Sequence, residues 1–297
     1  MCGIIGYVKG KKDIDKEVLR DMVHDLLIAC QSRGLDATGY GYIKDGKVVV
    51  DKAAGPATGF VERLRDIPFD EVQLFVGHTR AATKGSPQNN ENNHPIVSKD
   101  SGLLIAHNGV VSSHKDLKQD GEVDSEVILR LIELRQDVVE GIKYAEDNYT
   151  GPSAYVLMGV DFPRKMYIVR SGNPMVLAYL PELDLVLFGS TERIIRAAIQ
   201  DKKCHLNYFW EKNKRYEALF QEMDDDAVLT VSSVTRGISI KRIKMDTNKP
   251  RIGYWNYGIR HTPPTTPTTC LPSKRETKRQ AKARRKRDSW YKDDVLF

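Results

Sequence analysis

The residues able to do chemistry in this 297-residue chain fall at four places. Cys2 stands next to Met1, so removing that methionine would put a free α-amine and a thiol on one Cα. An α-amine titrates at about 7.7–8.0 and a thiol at about 8.5, so a nucleophile would sit beside a base largely unprotonated near neutrality. His78-Thr79-Arg80-Ala81-Ala82-Thr83 and His107-Asn108-Gly109 each follow a short apolar run, and Asp124-Ser125-Glu126 opens a helical pattern. Strand ends and helix starts are where sites collect. The side chains complement one another. A thiolate attacking an amide carbonyl needs donors aimed at the developing oxyanion, and the Asn108 amide with the Gly109 N–H could supply two. The Arg80 guanidinium offers a bidentate carboxylate clamp, and Asp124 can hold an ammonium. Together they would accept an α-amino acid carrying a side-chain amide, with glutamine the obvious candidate.

Singly, each has a plainer reading. Cys2 can be an inert small hydrophobe, Arg80 a salt-bridge residue, Asn108-Gly109 a hairpin turn and Asp124 a helix N-cap. His78, His94 and His107 read as structural histidines. The elements that must position these groups are legible in the apolar spacing. Residues 3–8 form an apolar run that reads as a buried strand fixing the terminus. Residues 15–31 carry helical periodicity with Asp13 or Asp15 near the N-cap, and Asp45-Gly46 marks a hairpin between residues 40–44 and 47–52. Residues 73–77 and 103–106 are short strands separated by an Asn- and Pro-rich loop at 85–100. Helical spacing covers 124–147, and strand-like runs at 154–160, 166–170, 175–180 and 185–189 suggest a meander. Residues 191–199 and 207–223 read as helices, and 228–231 and 238–243 as late strands. Strands and helices in blocks indicate α+β rather than alternating βαβ.

Composition narrows the class. Hydrophobic content of 40% and charged content of 29% fit a soluble globular chain. No run of about 18 apolar residues and no basic, apolar leader occurs, so no membrane span or secretory signal is expected and a cytoplasmic location is. Cys2, Cys30, Cys204 and Cys270 are too scattered for a disulfide framework or a metal site. The net charge of +6 belongs to the end of the chain: residues 270–297 hold ten Lys/Arg against four Asp/Glu, leaving 36 of each in residues 1–269.

In order and spacing the chain resembles the class II glutamine amidotransferases, N-terminal nucleophile hydrolases found in glucosamine-6-phosphate synthase and amidophosphoribosyltransferase. The resemblance rests on Met1-Cys2-Gly3-Ile4-Ile5-Gly6, Arg33-Gly34-Leu35-Asp36-Ala37-Thr38-Gly39, Gly77-His78-Thr79-Arg80-Ala81-Ala82-Thr83, Asn93-His94-Pro95, His107-Asn108-Gly109 and Asp124-Ser125-Glu126, over roughly residues 1–235. Weaker echoes are Arg170-Ser171-Gly172-Asn173-Pro174 and Gly189-Ser190-Thr191-Glu192. It implies a four-layer αββα sandwich and glutamine hydrolysis to glutamate and ammonia through a γ-glutamyl thioester. Cys2 would be the nucleophile with its own amine as base, and Asn108 with Gly109 the oxyanion hole. Arg80, Thr83, His94 and Asp124 would bind substrate, and Arg33 with Asp36 would form a structural pair beneath the site. No cofactor or metal is implied. Two positions depart from the pattern: Ala81 stands where relatives often carry an aromatic, and Lys84 where the synthase relatives have His.

The expected organisation is an amidotransferase domain over 1–250, a Pro/Thr-rich linker over 251–270 and a basic, disordered tail over 271–297. Relatives fuse this domain to a synthetase, isomerase or phosphoribosyltransferase. The residues after it here are too few for one, so a separate acceptor subunit or a free glutaminase is expected. The alternatives are an N-terminal nucleophile amidase acting on another amide, and a non-catalytic domain that binds nucleic acid or another polyanion through residues 274–287.

Overall fold

The computed structural model describes residues 1–112, 123–199, 208–211, 214–245 and 295–296, the last pair and 208–217 by backbone alone. The expected Pro/Thr linker and the basic run at 274–287 lie outside the described residues.

The first half of the described chain runs β1 (Gly3–Lys9), α1 (Lys16–Cys30), β2 (Ala37–Lys44), β3 (Lys47–Ala54), β4 (Leu74–Arg80), β5 (Ile96–Val97), β6 (Leu103–Gly109) and α2 (Ser125–Glu133). It continues with α3 (Val138–Asn148), β7 (Ser153–Gly159), β8 (Lys165–Ser171), β9 (Val176–Leu180), β10 (Leu185–Gly189) and α4 (Glu192–Ala198). Last come β11 (Tyr208–Glu211), β12 (Lys214–Glu217), β13 (Leu219–Glu222), β14 (Ala227–Val234), β15 (Gly237–Lys244) and β16 (Val295–Leu296). Among the described residues the strands make two seven-stranded sheets, ordered β13-β9-β10-β1-β4-β2-β3 and β16-β15-β14-β8-β7-β6-β5, besides the β11-β12 ribbon. The pairings within the two sheets are antiparallel.

Alternation along the strands sorts side chains into three apolar cores, and the cores define four layers. On β1, Ile5 and Tyr7 join Leu19, Val23, Leu26 and Leu27 of α1, with Ile194 and Ile195 of α4 in the same core. The neighbouring Ile4 and Val8 point the other way, into a middle core shared with Leu104 and Ala106 of β6 and Val156 and Met158 of β7. Ile105 and Tyr155, on the far face of that second sheet, pack against Val127, Ile128 and Leu131 of α2 and Ile142 and Ala145 of α3. The order is therefore helix, sheet, sheet, helix, as the resemblance implied. Among the described residues no helix is long and apolar enough to cross a membrane.

Several elements match the sequence reading closely. Asp15 caps α1, its carboxylate accepting from Glu17 N–H at 2.9 Å. Asp45 and Gly46, both at positive φ, turn β2 into β3. The expected helix over 124–147 is broken at Asp137, whose carboxylate accepts from Val139 and Glu140 N–H and so starts α3 afresh. The helix expected over 207–223 is corrected: 208–211, 214–217 and 219–222 are strands. In β13 the period-2 signal prevails, because Leu219 packs toward the middle core and Phe220 toward the outer one. The expected meander is also corrected. β7 and β8 pair in one sheet and β9 and β10 in the other, the chain crossing between them at Gly172-Asn173-Pro174.

Candidate active site

Cys2 immediately precedes β1, which lies between β10 and β4 in the centre of its sheet. Register places Gly3 opposite Thr79 and Ile5 opposite both Gly77 and Gly189. Ser190 fastens the strand further, its Oγ accepting from Ile4 N–H at 2.9 Å while its own N–H donates to Ile4 O at 2.9 Å. A terminus paired on both sides holds its first residue in one place. Gly3 is required by space: a Cβ there would lie 2.3 Å from Cys30 Sγ and 2.9 Å from Thr79 Oγ1.

The Cys2 thiol lies against the start of the loop that follows β4. Ala81 N–H points at Sγ at 3.4 Å, and the thiol reaches Ala81 O at 3.5 Å. Arg33 Nε donates to Cys2 O at 2.7 Å. Burial raises the Cys2 pKa, against the opposing pull of the Ala81 N–H, the chain-terminal charge, Arg80 and Arg33. The resting group is therefore a thiol, which must lose its proton to a base before it can attack. Cys30, by contrast, is fully buried and pushed up to about 12, an inert thiol.

The sequence reading ended its two short strands one step before the polar clusters, but both strands run on. His78, Thr79 and Arg80 lie within β4, and His107, Asn108 and Gly109 within β6, where Asn108 faces Ala154 and Gly109 faces Ser153 of β7. Asn108-Gly109 is thus not a hairpin turn here. Asn108 is 2% exposed, and its Nδ2 has no hydrogen-bond acceptor among the described residues. A buried amide donor without an acceptor is costly and uncommon, which makes Asn108 Nδ2 a candidate donor to a substrate atom. Its backbone is pinned by Asn173, whose Nδ2 donates to Asn108 O at 2.8 Å and Pro152 O at 3.3 Å.

Arg80 is 3% exposed and held by its own loop. Nη1 donates to Asn93 Oδ1 at 2.8 Å; Nη2 donates to Gly85 O at 3.0 Å and, more closely, to Lys84 O. A guanidinium has five N–H donors, so these three bonds leave two for a ligand. Asn93 in turn donates to Pro87 O at 2.7 Å and Asn90 Oδ1 at 3.0 Å, which folds the 85–93 segment back on the arginine. From β3, Lys52 Nζ donates to Asn93 O at 2.7 Å and Pro95 O at 3.1 Å, and burial lowers its pKa to about 8. Lys52 is a support without a signal in the sequence, and Asn93, part of the Asn93-His94-Pro95 stretch, gave no sign of its bond to Arg80, because both roles exist only in contacts made by folding.

Asp124 stands at the N-cap position of α2 yet makes no capping bond. Its Oδ2 accepts from Val111 N–H at 3.0 Å and faces Lys84 Nζ at 3.8 Å. Its carboxylate is turned from the helix toward the loop that follows Arg80. Thr83 lies exposed on that loop. Asp36 accepts from Ala82 N–H at 2.8 Å and Arg33 holds Cys2 O, so both residues of the expected structural pair buttress the nucleophile's surroundings.

His94 is buried in the middle of the molecule with neither ring nitrogen hydrogen-bonded among the described residues, its ring 4.4 Å from that of His78. His78 Nε2 donates to His107 O at 3.0 Å and so ties β4 to β6 across the two sheets; His107 Nδ1 meets Ser125 Oγ at 2.8 Å. Burial lowers His78 to about 3 and His94 well below its ordinary value, so both rings are neutral at physiological pH. Among the described residues no group of three or more His, Cys, Asp or Glu could hold a metal ion.

Cys2, Arg80 and Asp124 thus border one loop, and Asn108 lies on the strand that leads to Val111, a partner of Asp124. Ala81 touches the thiol, Lys84 spans from Arg80 to Asp124, and Val111, two residues past Gly109, binds Asp124.

No family model matches the chain. Known proteins do. It is 30% identical over 188 residues to the glutamine–fructose-6-phosphate aminotransferase of Aquifex aeolicus, covering 60% of this chain and 30% of that protein. It is 28% identical over 190 residues to the enzyme of the same name from Pyrococcus horikoshii, with the same coverage. Among solved structures it is similar to the glutamine phosphoribosylpyrophosphate amidotransferase of B. subtilis, with a TM-score of 0.56, 19% identity, and coverage of 84% of this chain and 50% of that one. A structure described as the allosteric regulatory enzyme of purine biosynthesis gives a TM-score of 0.58 at 19% identity, covering 83% of this chain and 50% of the other. The structural likeness bears on the fold, and the chain matches about a third of the length of the sequence relatives.

Proposed function

We infer, for a chain that carries a class II glutamine amidotransferase domain of the N-terminal nucleophile hydrolase type, that it hydrolyses the side-chain amide of glutamine and supplies the ammonia to a separate acceptor enzyme. The observation that carries this reading is the Arg80–Lys84–Asp124 bridge: a buried cation and a carboxylate, from distant parts of the sequence, meet the same residue beside the Cys2 thiol. An amino acid's carboxylate and ammonium, one Cα apart, fit such a pair, whereas a simple acyl amide has no use for it.

Met1 is 77% exposed, and the side-chain contact its removal gives up is that of its Sδ with Arg33 Nη2 at 4.0 Å. The freed amine of Cys2 accepts the thiol proton as Sγ attacks Cδ of glutamine. The raised pKa of the thiol fits a mechanism that needs this internal base. The oxyanion takes hydrogen bonds from Asn108 Nδ2 and the Gly109 N–H. As the tetrahedral intermediate collapses, the ammonium returns its proton to the leaving nitrogen, and ammonia departs from a γ-glutamyl thioester. Water activated by the same amine then attacks the thioester and releases glutamate and the thiol. Arg80 binds the α-carboxylate with Thr83 closing over it, and Asp124 binds the α-ammonium. We assign His94 to the buried support behind the clamp, since its ring lies 4.4 Å from that of His78, tilted by 31°, and the next residue back, Asn93, holds Arg80.

The test is glutamate and ammonia release from glutamine by protein whose Met1 removal is confirmed by mass, beside Cys2→Ala and Cys2→Ser. Wild-type turnover abolished by Cys2→Ala is expected. A processed wild type that releases no glutamate, alone or with acceptor enzymes added, defeats the reading. Faster turnover of asparagine or of a simple acyl amide than of glutamine would transfer the site to the amidase alternative.

A further inference from the structure

Lys84 occupies both ends of the amino-acid clamp at once. Its backbone carbonyl accepts a hydrogen bond from Arg80 Nη2, and its side-chain ammonium lies 3.8 Å from Asp124 Oδ2. Among the described residues, the other groups on this pair are the Gly85 carbonyl and Asn93 amide oxygen on Arg80, and the Val111 N–H on Asp124. A carbonyl oxygen on the guanidinium that would take a carboxylate, and an ammonium where an ammonium would bind, set within one residue the two recognition groups of a free amino acid.

We propose that Lys84 is a tethered mimic of the substrate's main chain, which glutamine must displace from Asp124 in order to bind. The inference rests on the amidotransferase reading given above. The Lys84 side chain is 55% exposed and that of Asp124 11%, so the pair is open to solvent on the lysine side and weak enough to exchange. A competitor fused to the site lowers apparent affinity by the fraction of time it is bound, without altering the chemical step. The device also sets specificity. A substrate that lacks the α-amine leaves Lys84 in place on Asp124, so the wild-type site tolerates that loss better than a site whose carboxylate is left bare.

The experiment compares wild type with Lys84→Met and Lys84→Arg, using glutamine and its desamino analogue glutaramate. In Lys84→Met the KM for glutamine falls about two- to fivefold, the range expected of a solvent-exposed ion pair, and the change shows in KM rather than in kcat. The kcat/KM preference for glutamine over glutaramate rises by a similar factor. Lys84→Arg keeps a cation on the tether and stays near wild type on both measures. A KM that rises in Lys84→Met would make Lys84 a strut of the productive loop and overturn the proposal, as would an unchanged preference. If wild type turns over neither compound, the amidotransferase reading itself has failed, a different outcome from either.

Discussion

Replacing Asn108 with alanine separates catalysis from stability, because the residue's amide is poorly placed for the resting protein. Its Nδ2 is buried without an acceptor among the described residues, and an unsatisfied buried donor destabilises the folded state by about 1–3 kcal/mol. Against that, truncation to Cβ removes packing at a position only 2% exposed. The two effects oppose each other, so the melting temperature of Asn108→Ala should move by no more than a few degrees in either direction, about 1 kcal/mol. Catalysis has no such compensation. One lost oxyanion donor costs about 10²–10³ in kcat, or about 2.7–4 kcal/mol, while KM for glutamine changes little because the donor acts on charge that exists only in the transition state. Asn108→Asp keeps the shape but places a carboxylate beside the oxyanion, and kcat should fall at least as far. The assay is steady-state glutamate release by Met-processed protein, paired with thermal unfolding of the same samples. A kcat within about threefold of wild type would refute the oxyanion assignment. A large kcat loss accompanied by a comparable loss of stability would move Asn108 from chemistry to scaffold.

Gly3→Ala should cost about 1–3 kcal/mol by overpacking, since the added Cβ meets Cys30 Sγ at 2.3 Å; denaturant unfolding should show part of the loss restored when Cys30→Ala is combined with it. Asn173→Ala removes the bonds to Asn108 O and Pro152 O and should lower kcat about tenfold with KM near wild type, and steady-state kinetics that show only a KM change would contradict the positioning role. The buried histidines predict acid sensitivity. His78 and His94 have folded-state pKa values far below the unfolded value of about 6.5, so below that pH the unfolded chain takes up protons that the folded one refuses. Stability is full at neutral pH and falls as pH drops from about 6.5 toward 3, by up to about 1.4 kcal/mol per pH unit for each ring. Urea unfolding between pH 7 and 4.5 should show that slope, and His94→Phe should flatten it by one ring's share.

How much of this was legible beforehand depends on whether a signal was local. Apolar runs and helical spacing located β1, α1 and the 45–46 turn, because burial on one face leaves a period in the sequence. The strand ends were misjudged at His78–Arg80 and His107–Gly109 because polar residues broke the apolar pattern where the backbone pairing continued. The allocation of β7 to β10 between two sheets had no local trace, since both hairpins read alike. At the site, the types and order of Cys2, Arg80, Asn108 and Asp124 announced a chemistry, and the structure brings Cys2, Arg80 and Asp124 around one loop. Lys52 carries no signature, and Asn93 and Asn173, though they stand in stretches that carry the resemblance, show no sign of their partners, because those bonds join residues far apart in the sequence. The Lys84–Asp124 contact is of the same kind: the sequence marks Lys84 as a departure from the pattern, but its partner shows only once the loop is folded.

The central place of β1 also fixes when the site can exist. One neighbour, β4, follows within the first 80 residues, but the other, β10, begins at Leu185. At about 5–20 residues per second of synthesis, the first strand waits on the order of ten seconds or more before its second partner leaves the ribosome. Throughout that interval Met1 and Cys2 belong to an incomplete sheet, although β6 and β7 of the other sheet, which end at Gly109 and Gly159, are already made before β10 begins. On the proposed reading, in which Cys2 acts only as a freed terminus, trimming has its natural window before closure of the sheet.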